Sequence, residues 1–66
     1  MIVASKNLKN YIELQKDKSE LAEKLNISRQ MLYNIIGGDV NISEKLRDTI
    51  TGVTGFDFET AFEVKE

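Results

Sequence analysis

The sequence predicts an all-α fold, a compact arrangement of four to five short helices. Apolar residues recur at helical spacing in four successive segments, and a polar residue able to cap a helix stands before each of them. The 66 residues contain no repeat, no proline and no low-complexity linker, so residues 1–66 are expected to form a single domain. A chain this short buries only about 60% of the surface that its unfolded form exposes, which makes its stability marginal.

The first helix is predicted over residues 6–16, with Ser5 as its candidate N-cap. Its apolar face is formed by Leu8, Tyr11 and Ile12, at the spacing i, i+3, i+4, with Leu14 near its end. We expect these side chains in the core rather than in a binding site.

A second and a third helix are predicted next, joined by a tight turn. Asp17 and Glu20 form a capping box, so the second helix is expected to begin at about Lys18. Its inward face is formed by Leu21, Ala22 and Leu25. The small Ala22 side chain lets the two helices cross closely. Asn26, which accepts a left-handed backbone at low cost, ends the pattern.

The third helix is amphipathic, with a polar outward face. Ser28 is a good N-cap for it, and Gly37 and Gly38 supply its C-terminal stop. Its inward side is formed by Leu32, Ile35 and Ile36. Its outward side is formed by Arg29, Gln30, Tyr33 and Asn34.

A loop over residues 39–41 is predicted to lead into a fourth helix. Asn41 and Glu44 suggest a capping box at its start. Its apolar stripe is formed by Ile42, Leu46, Ile50 and Val53. Threonines and glycines weaken the helix toward its end.

The last dozen residues fit two structures. An alternation typical of a strand is formed by Phe56, Phe58, Phe62 and Val64. A helical face is formed by Phe58, Ala61 and Phe62, with Asp57 as its candidate N-cap. We favour a short fifth helix from Asp57 to Phe62. The alternative is a C-terminal strand paired with Ile2 and Val3, which would make the fold α+β.

Residues 18–38, KSELAEKLNISRQMLYNIIGG, resemble the helix-turn-helix of the phage Cro/repressor-like family of small transcription regulators. LAEKLNIS followed by RQ is close to the family's LAEKLG-hydrophobic-S-RQ core, with Asn26 in place of the usual turn glycine. A looser resemblance extends over residues 8–62. Within it, GFDFETAF (residues 55–62) is similar to the family's closing segment, which favours the short fifth helix.

The resemblance implies a DNA-binding face. In that family the first residues of the recognition helix read base edges in the major groove, a role that falls here to Arg29, Gln30 and Asn34, with Tyr33 against a thymine methyl or a phosphate. Arginine can donate two hydrogen bonds to guanine, and glutamine or asparagine can pair with adenine. The candidate phosphate contacts are Lys18, Ser28, Lys45 and Lys9, with Lys6 and Arg47 as further candidates. The alternative for all of them is an ordinary solvated helix surface.

The distribution of charge agrees with this face, although the total does not. The net charge is −2, whereas a nucleic-acid-binding domain is often strongly basic. Residues 1–47 carry eight basic and six acidic side chains, a balance of +2, and residues 48–66 carry one basic and five acidic, a balance of −4. The proposed DNA face therefore belongs to the more basic part of the chain.

The composition argues against catalysis. The chain has neither cysteine nor histidine, which removes disulfides, thiolate metal sites and the commonest general base. No glycine-rich phosphate loop or nucleophile elbow is present, so we expect no enzyme, cofactor, metal or small-molecule ligand. No apolar run approaches the about 20 residues that span a bilayer, and residues 1–4 are too short for a signal peptide. We expect a cytoplasmic protein without membrane contact.

Two functions follow as hypotheses. The first is a sequence-specific regulator of transcription, a phage-type Cro or repressor that binds a double-stranded DNA operator as a homodimer and acts by occupying it. The second is a protein-interaction module, such as an antitoxin or an antagonist of another regulator. The acidic, phenylalanine-rich tail (residues 56–66) supports the second hypothesis, and one of its phenylalanines would also serve as a dimer contact.

Overall fold

A computed structural model describes residues 1–38 and 40–66, which form five helices and one two-stranded sheet. The elements are β1 (Ile2–Ala4), α1 (Lys6–Leu14), α2 (Lys18–Lys24), α3 (Arg29–Gly37), α4 (Glu44–Thr54), α5 (Phe58–Ala61) and β2 (Phe62–Val64). Asp39, within the loop predicted over residues 39–41, lies outside the described residues. The described fold is mostly helical, as the sequence predicts.

The sheet is the main difference from the all-α prediction. β1 and β2 pair antiparallel, with Ile2 opposite Val64, Val3 opposite Glu63 and Ala4 opposite Phe62. The α+β alternative anticipated this pairing. Both interpretations of the tail hold in succession, because α5 is a single helical turn and the chain becomes extended at Phe62. The predicted N-cap is confirmed: Asp57 Oδ1 accepts the Thr60 N–H at 2.8 Å. Hydrogen bonds from the Thr60 hydroxyl and then the Thr60 N–H hold the pKa of Asp57 below its usual 3.8.

Helix α1 begins as predicted and ends two residues early. Ser5 Oγ accepts the Leu8 N–H at 3.2 Å, and the backbone is extended at Gln15. Leu8 and Ile12 are buried, but Leu14 is 80% exposed. The prediction that Leu14 belongs to the core is therefore wrong. It lies two residues after Ile12, about 200° around the helix, and so points away from the core.

Residues 18–38 form the two predicted helices and the tight turn between them. Asp17 caps α2 and Ser28 caps α3. Asn26 has φ of 58°, and the N–H groups of Asn26 and Ile27 return to carbonyls of the last turn of α2 at 3.0 Å. This is a Schellman motif with asparagine in the left-handed position. Ala22 is 3% exposed, which agrees with a close approach of the two helices.

The predicted start of α4 is wrong by two residues. The N-cap is Ser43, whose Oγ accepts the Leu46 N–H at 3.3 Å. Asn41 does not cap a helix, because its Oδ1 accepts the Ile2 N–H at 2.8 Å. Ile42 is fully buried but precedes the helix, so it contributes to the core from the loop.

One apolar cluster joins all the helices. It is formed by Ala4, Leu8, Ile12, Leu21, Ala22, Leu25, Leu32, Ile35, Ile42, Ile50, Ala61 and Phe62. Helix α1 contacts α2, α3, α5 and β1, and is therefore the central element. Tyr11 packs edge-to-face on Phe56 at its border, with ring centroids 5.5 Å apart. Within the described residues, every buried side-chain nitrogen or oxygen has a hydrogen-bond partner.

Strand β1 is hydrogen-bonded along both edges. On one edge it pairs with β2. On the other, Ile2 donates to Asn41 Oδ1 and accepts the Ile42 N–H at 2.8 Å. At the end of the strand, the Ser5 N–H donates to the Ala61 carbonyl at 2.8 Å. The Ser5 hydroxyl, in a residue only 6% exposed, donates to the Thr60 carbonyl. β1 thus connects the segment before α4, the start of α1 and the end of α5.

We predict that Ser5→Ala destabilises the domain more than Ser43→Ala. Both remove a helix N-cap, at a cost of about 1 kcal/mol. Ser5→Ala also leaves the Thr60 carbonyl without its partner in a partly buried place, which adds about 1–2 kcal/mol. Urea unfolding monitored by circular dichroism measures both losses. Equal losses would mean that Ser5 acts only as a cap.

Candidate nucleic-acid interface

The outward face of α3 is polar and exposed along its whole length. It consists of Arg29, Gln30, Tyr33 and Asn34, all four of them exposed. On the opposite side, Leu32 and Ile35 are buried to 1% exposure or less. The helix is therefore held to the core by one side, and the four predicted base-reading side chains share the other.

The start of α3 is fixed by its cap. Ser28 Oγ accepts the Met31 N–H at 3.0 Å, so the helix begins at Arg29. Ser28 is an exposed residue, and its hydroxyl acts in the cap only as an acceptor, so its hydrogen stays available to a phosphate oxygen. Its predicted phosphate contact is compatible with its role as a cap.

A surface concavity of about 420 Å³ lies between the start of α2 and the start of α3. It is lined by Lys16, Asp17, Lys18, Ser19, Arg29 and Tyr33. Three cations and one carboxylate give it a local charge of +2, although the whole chain is at −2. Two donors beside Lys18, Lys16 and Ser19, were not predicted. The sequence predicts Ser19 in the first turn of α2 and Lys16 at the end of the first helix, but the nearness of both to α3 depends on how the helices pack.

Lys18 is held in place by the end of α1. Its Nζ donates to the Gln15 carbonyl at 3.2 Å and to the Glu13 carbonyl at 3.4 Å. These are among the carbonyls that a helix C-terminus leaves without intrahelical partners. An ammonium group has three N–H donors, so one remains for an anion in the concavity.

Lys45 lies near the turn between α2 and α3. It is exposed and lines a shallow concavity together with Asn26 and Ile27. This places an ammonium group beside the turn that precedes Ser28.

Arg47, the other candidate on α4, is engaged within the protein. Its guanidinium donates to the Ile42 carbonyl at 2.7 Å and lies 5.7 Å from the centre of the Phe58 ring. It therefore stabilises the approach to α4 and is not grouped with the cations near α3.

Lys9 and Lys6 are not brought together with the other candidates. Lys9 lies beside Gly38, where an added Cβ would come within 3.0 Å of its Nζ. Gly38 has φ of 77° and caps the end of α3. A nine-residue helix is about 13 Å long, so Lys9 lies that far along α3 from Arg29. Lys6 is exposed at the first position of α1.

A second concavity is acidic and includes an exposed aromatic ring. It is lined by Glu44, Arg47, Asp48, Thr51, Asp57 and Phe58. Phe62 is buried, whereas Phe58 packs on it at 5.3 Å and is still 46% exposed. Of the three phenylalanines, Phe58 is the one that offers a ring to a partner.

The described residues contain no group of three potential metal ligands among histidine, cysteine and carboxylate side chains. None of the described helices combines the length and the apolar character needed to cross a membrane.

Comparison with known proteins identifies no relative. No model of a protein family matches the chain, and neither a curated protein nor a solved structure matches it. The interpretation of this face therefore depends on the residues themselves, on their geometry and on the resemblance of residues 18–38 described above.

Proposed function

We propose that the protein is a sequence-specific, double-stranded DNA-binding regulator of transcription of the Cro/repressor kind. One observation carries the proposal: four side chains able to read base edges share the exposed face of a helix whose start adjoins a concavity with a charge of +2. Arg29 is suited to guanine and Gln30 to adenine. Lys16, Lys18 and Ser19 are suited to phosphate at the edge of the groove.

The dimensions of the domain favour binding as a homodimer. α3 has nine residues and is about 13 Å long, the length of about four base pairs at 3.4 Å each, so one copy reads one short half-site. Successive half-sites on one side of the duplex are about 34 Å apart. The longest extent of the domain is 31 Å, so a single α3 cannot reach both. Two copies on a palindromic operator would supply the specificity that one helix lacks.

Regulation in this proposal occurs by occupancy. The protein binds its operator in the cytoplasm, without a cofactor or a small-molecule ligand, and blocks access to the promoter. Selection of binders from a random duplex library at near-physiological salt tests the proposal. Enrichment of a palindrome supports it, and the absence of any enriched sequence from a folded protein rejects it.

A second function is favoured by the acidic concavity. Phe58 is exposed among three carboxylates, those of Glu44, Asp48 and Asp57, as in a surface that binds a basic, apolar protein segment. In this alternative the domain is a protein-interaction module, such as an antitoxin or an antagonist of another regulator. If the duplex selection enriched no sequence, protein interaction would be the better supported of the two functions.

We predict that Arg29→Ala and Gln30→Ala each weaken binding to the selected sequence while the fold is kept. Each good base contact discriminates by about 1–3 kcal/mol, which corresponds to a loss of about 5- to 150-fold in affinity. Both side chains are exposed, so the melting temperature should hardly change. Competition between the selected duplex and a scrambled one measures the loss. Retained discrimination in both variants would show that α3 does not read the bases.

We predict that Lys16→Ala weakens binding to all sequences and that Lys6→Ala does not. The two variants lose the same charge from an exposed lysine, but only Lys16 lines the concavity beside Arg29. The slope of log affinity against log salt is negative, and loss of one phosphate contact brings it closer to zero by about 0.9. Titrations at several salt concentrations measure that slope. Equal slopes for the two variants would place the phosphate contacts elsewhere.

We predict opposite outcomes for Phe58→Ala and Phe62→Ala. Phe62 is 3% exposed, and its truncation should cost about 3–5 kcal/mol, enough to unfold much of so small a domain. Phe58→Ala should leave the domain folded. If the DNA proposal is right, this variant should still bind one half-site of the selected duplex. Thermal melts and duplex titrations measure both properties. The second function would be favoured if neither the unmodified protein nor Phe58→Ala bound DNA, and if folded Phe58→Ala lost a protein partner that the unmodified protein binds.

A further inference from the structure

A hydrogen bond joins two of the side chains that the sequence analysis assigns to base reading. Gln30 Nε2 donates to Asn34 Oδ1 at 3.2 Å, one helical turn along α3. Both residues are exposed. The contact therefore lies on the surface that would face DNA.

The chemistry of the two amides is not equivalent. A glutamine amide has two N–H donors and one carbonyl oxygen. After one N–H is donated to Asn34, the other N–H and Oε1 of Gln30 remain available together. These are the donor and the acceptor that adenine N7 and N6 require. Asn34 would need its own Oδ1 to read an adenine in the same way, and one of the two lone pairs of that oxygen already accepts from Gln30, which directs the Asn34 amide along the helix toward Gln30.

We propose that Asn34 is a positioning residue, which orients the Gln30 amide to read one adenine and does not read a base of its own. This inference rests on the DNA-binding function proposed above. A free glutamine side chain loses much rotamer entropy when it is fixed against a base. The bond to Asn34 fixes part of that side chain before DNA arrives, which lowers the cost of binding.

The test is selection from a randomised duplex library with the full chain and with Gln30→Ala, Asn34→Ala and Asn34→Asp. Gln30→Ala should lose the adenine preference at one position. Asn34→Ala should weaken the preference at that same position by about 2- to 12-fold, the effect of one hydrogen bond. Asn34→Asp keeps an acceptor oxygen in the same place. It should therefore keep the preference, while its negative charge weakens binding to all sequences.

Two results would overturn the positioning role alone. In the first, Asn34→Ala relaxes a different position and leaves the Gln30 position intact, so that Asn34 reads its own base. In the second, Asn34→Asp loses the adenine preference as fully as Asn34→Ala. If the unmodified protein enriches no sequence, the proposed function fails and the positioning role fails with it.

Nuclear magnetic resonance of the free protein tests the contact without DNA. One side-chain amide proton of Gln30 should shift upfield in Asn34→Ala and should stay near its original position in Asn34→Asp. An unchanged resonance in Asn34→Ala would show that the two side chains are not bonded in solution, and would overturn the proposal whether or not the protein binds DNA.

Discussion

The structure depends on a three-residue strand that is hydrogen-bonded along both edges. An isolated pair of strands this short is marginal in water. β1 is stabilised because β2 occupies one edge, and the Asn41 side chain and the Ile42 N–H bond to Ile2 on the other. Ser5 then connects its end to both α1 and α5. A domain of 66 residues has few apolar contacts to spare, and this arrangement fixes several loops through a handful of backbone groups.

That constraint determines how α3 is presented. The chain after α3 is fixed at Asn41 and Ile42 by β1, and the chain before α3 is fixed by the left-handed Asn26 and the Ser28 cap. Between these points, Leu32 and Ile35 hold the inward side of the helix in the core. The four polar side chains of the outward face are therefore carried by a helix that is capped at both ends and buried along its inward side, which favours precise placement of a recognition surface.

Features of the fold that depend on neighbouring residues could be predicted from the sequence, and features that depend on residues far apart in the chain could not. The caps Ser5, Asp17, Ser28 and Asp57 were found from the sequence because each needs only a side-chain oxygen and an N–H three residues away. The role of Asn41 was missed because its partner, Ile2, lies 39 residues away. The sequence offers the sheet only as an alternative, because a pattern of three residues is too short to distinguish a strand from one helical turn.

The site divides in the same way. Helical spacing alone predicts the outward face of α3 and the four residues that form it. Lys16 and Ser19 lie near Arg29 only because of how the start of α2 packs beside α3. Arg47 is not part of this group, because its guanidinium contacts the Ile42 carbonyl and the Phe58 ring. The residue spacing within a single helix cannot predict these contacts between different elements.

The acidic and basic side chains of the surface would affect DNA binding in different ways. The acidic concavity around Phe58 shares no residue with the basic concavity beside α3. Salt screens exposed charges beyond about 8 Å at physiological ionic strength, so a phosphate bound in the basic concavity would respond most strongly to the charges that line it. At longer range, before contact, the net charge of −2 opposes approach to DNA of any sequence. Weak non-specific attraction makes a larger share of the affinity depend on base contacts, so the proposed regulator would gain selectivity from the acidity that first argues against it.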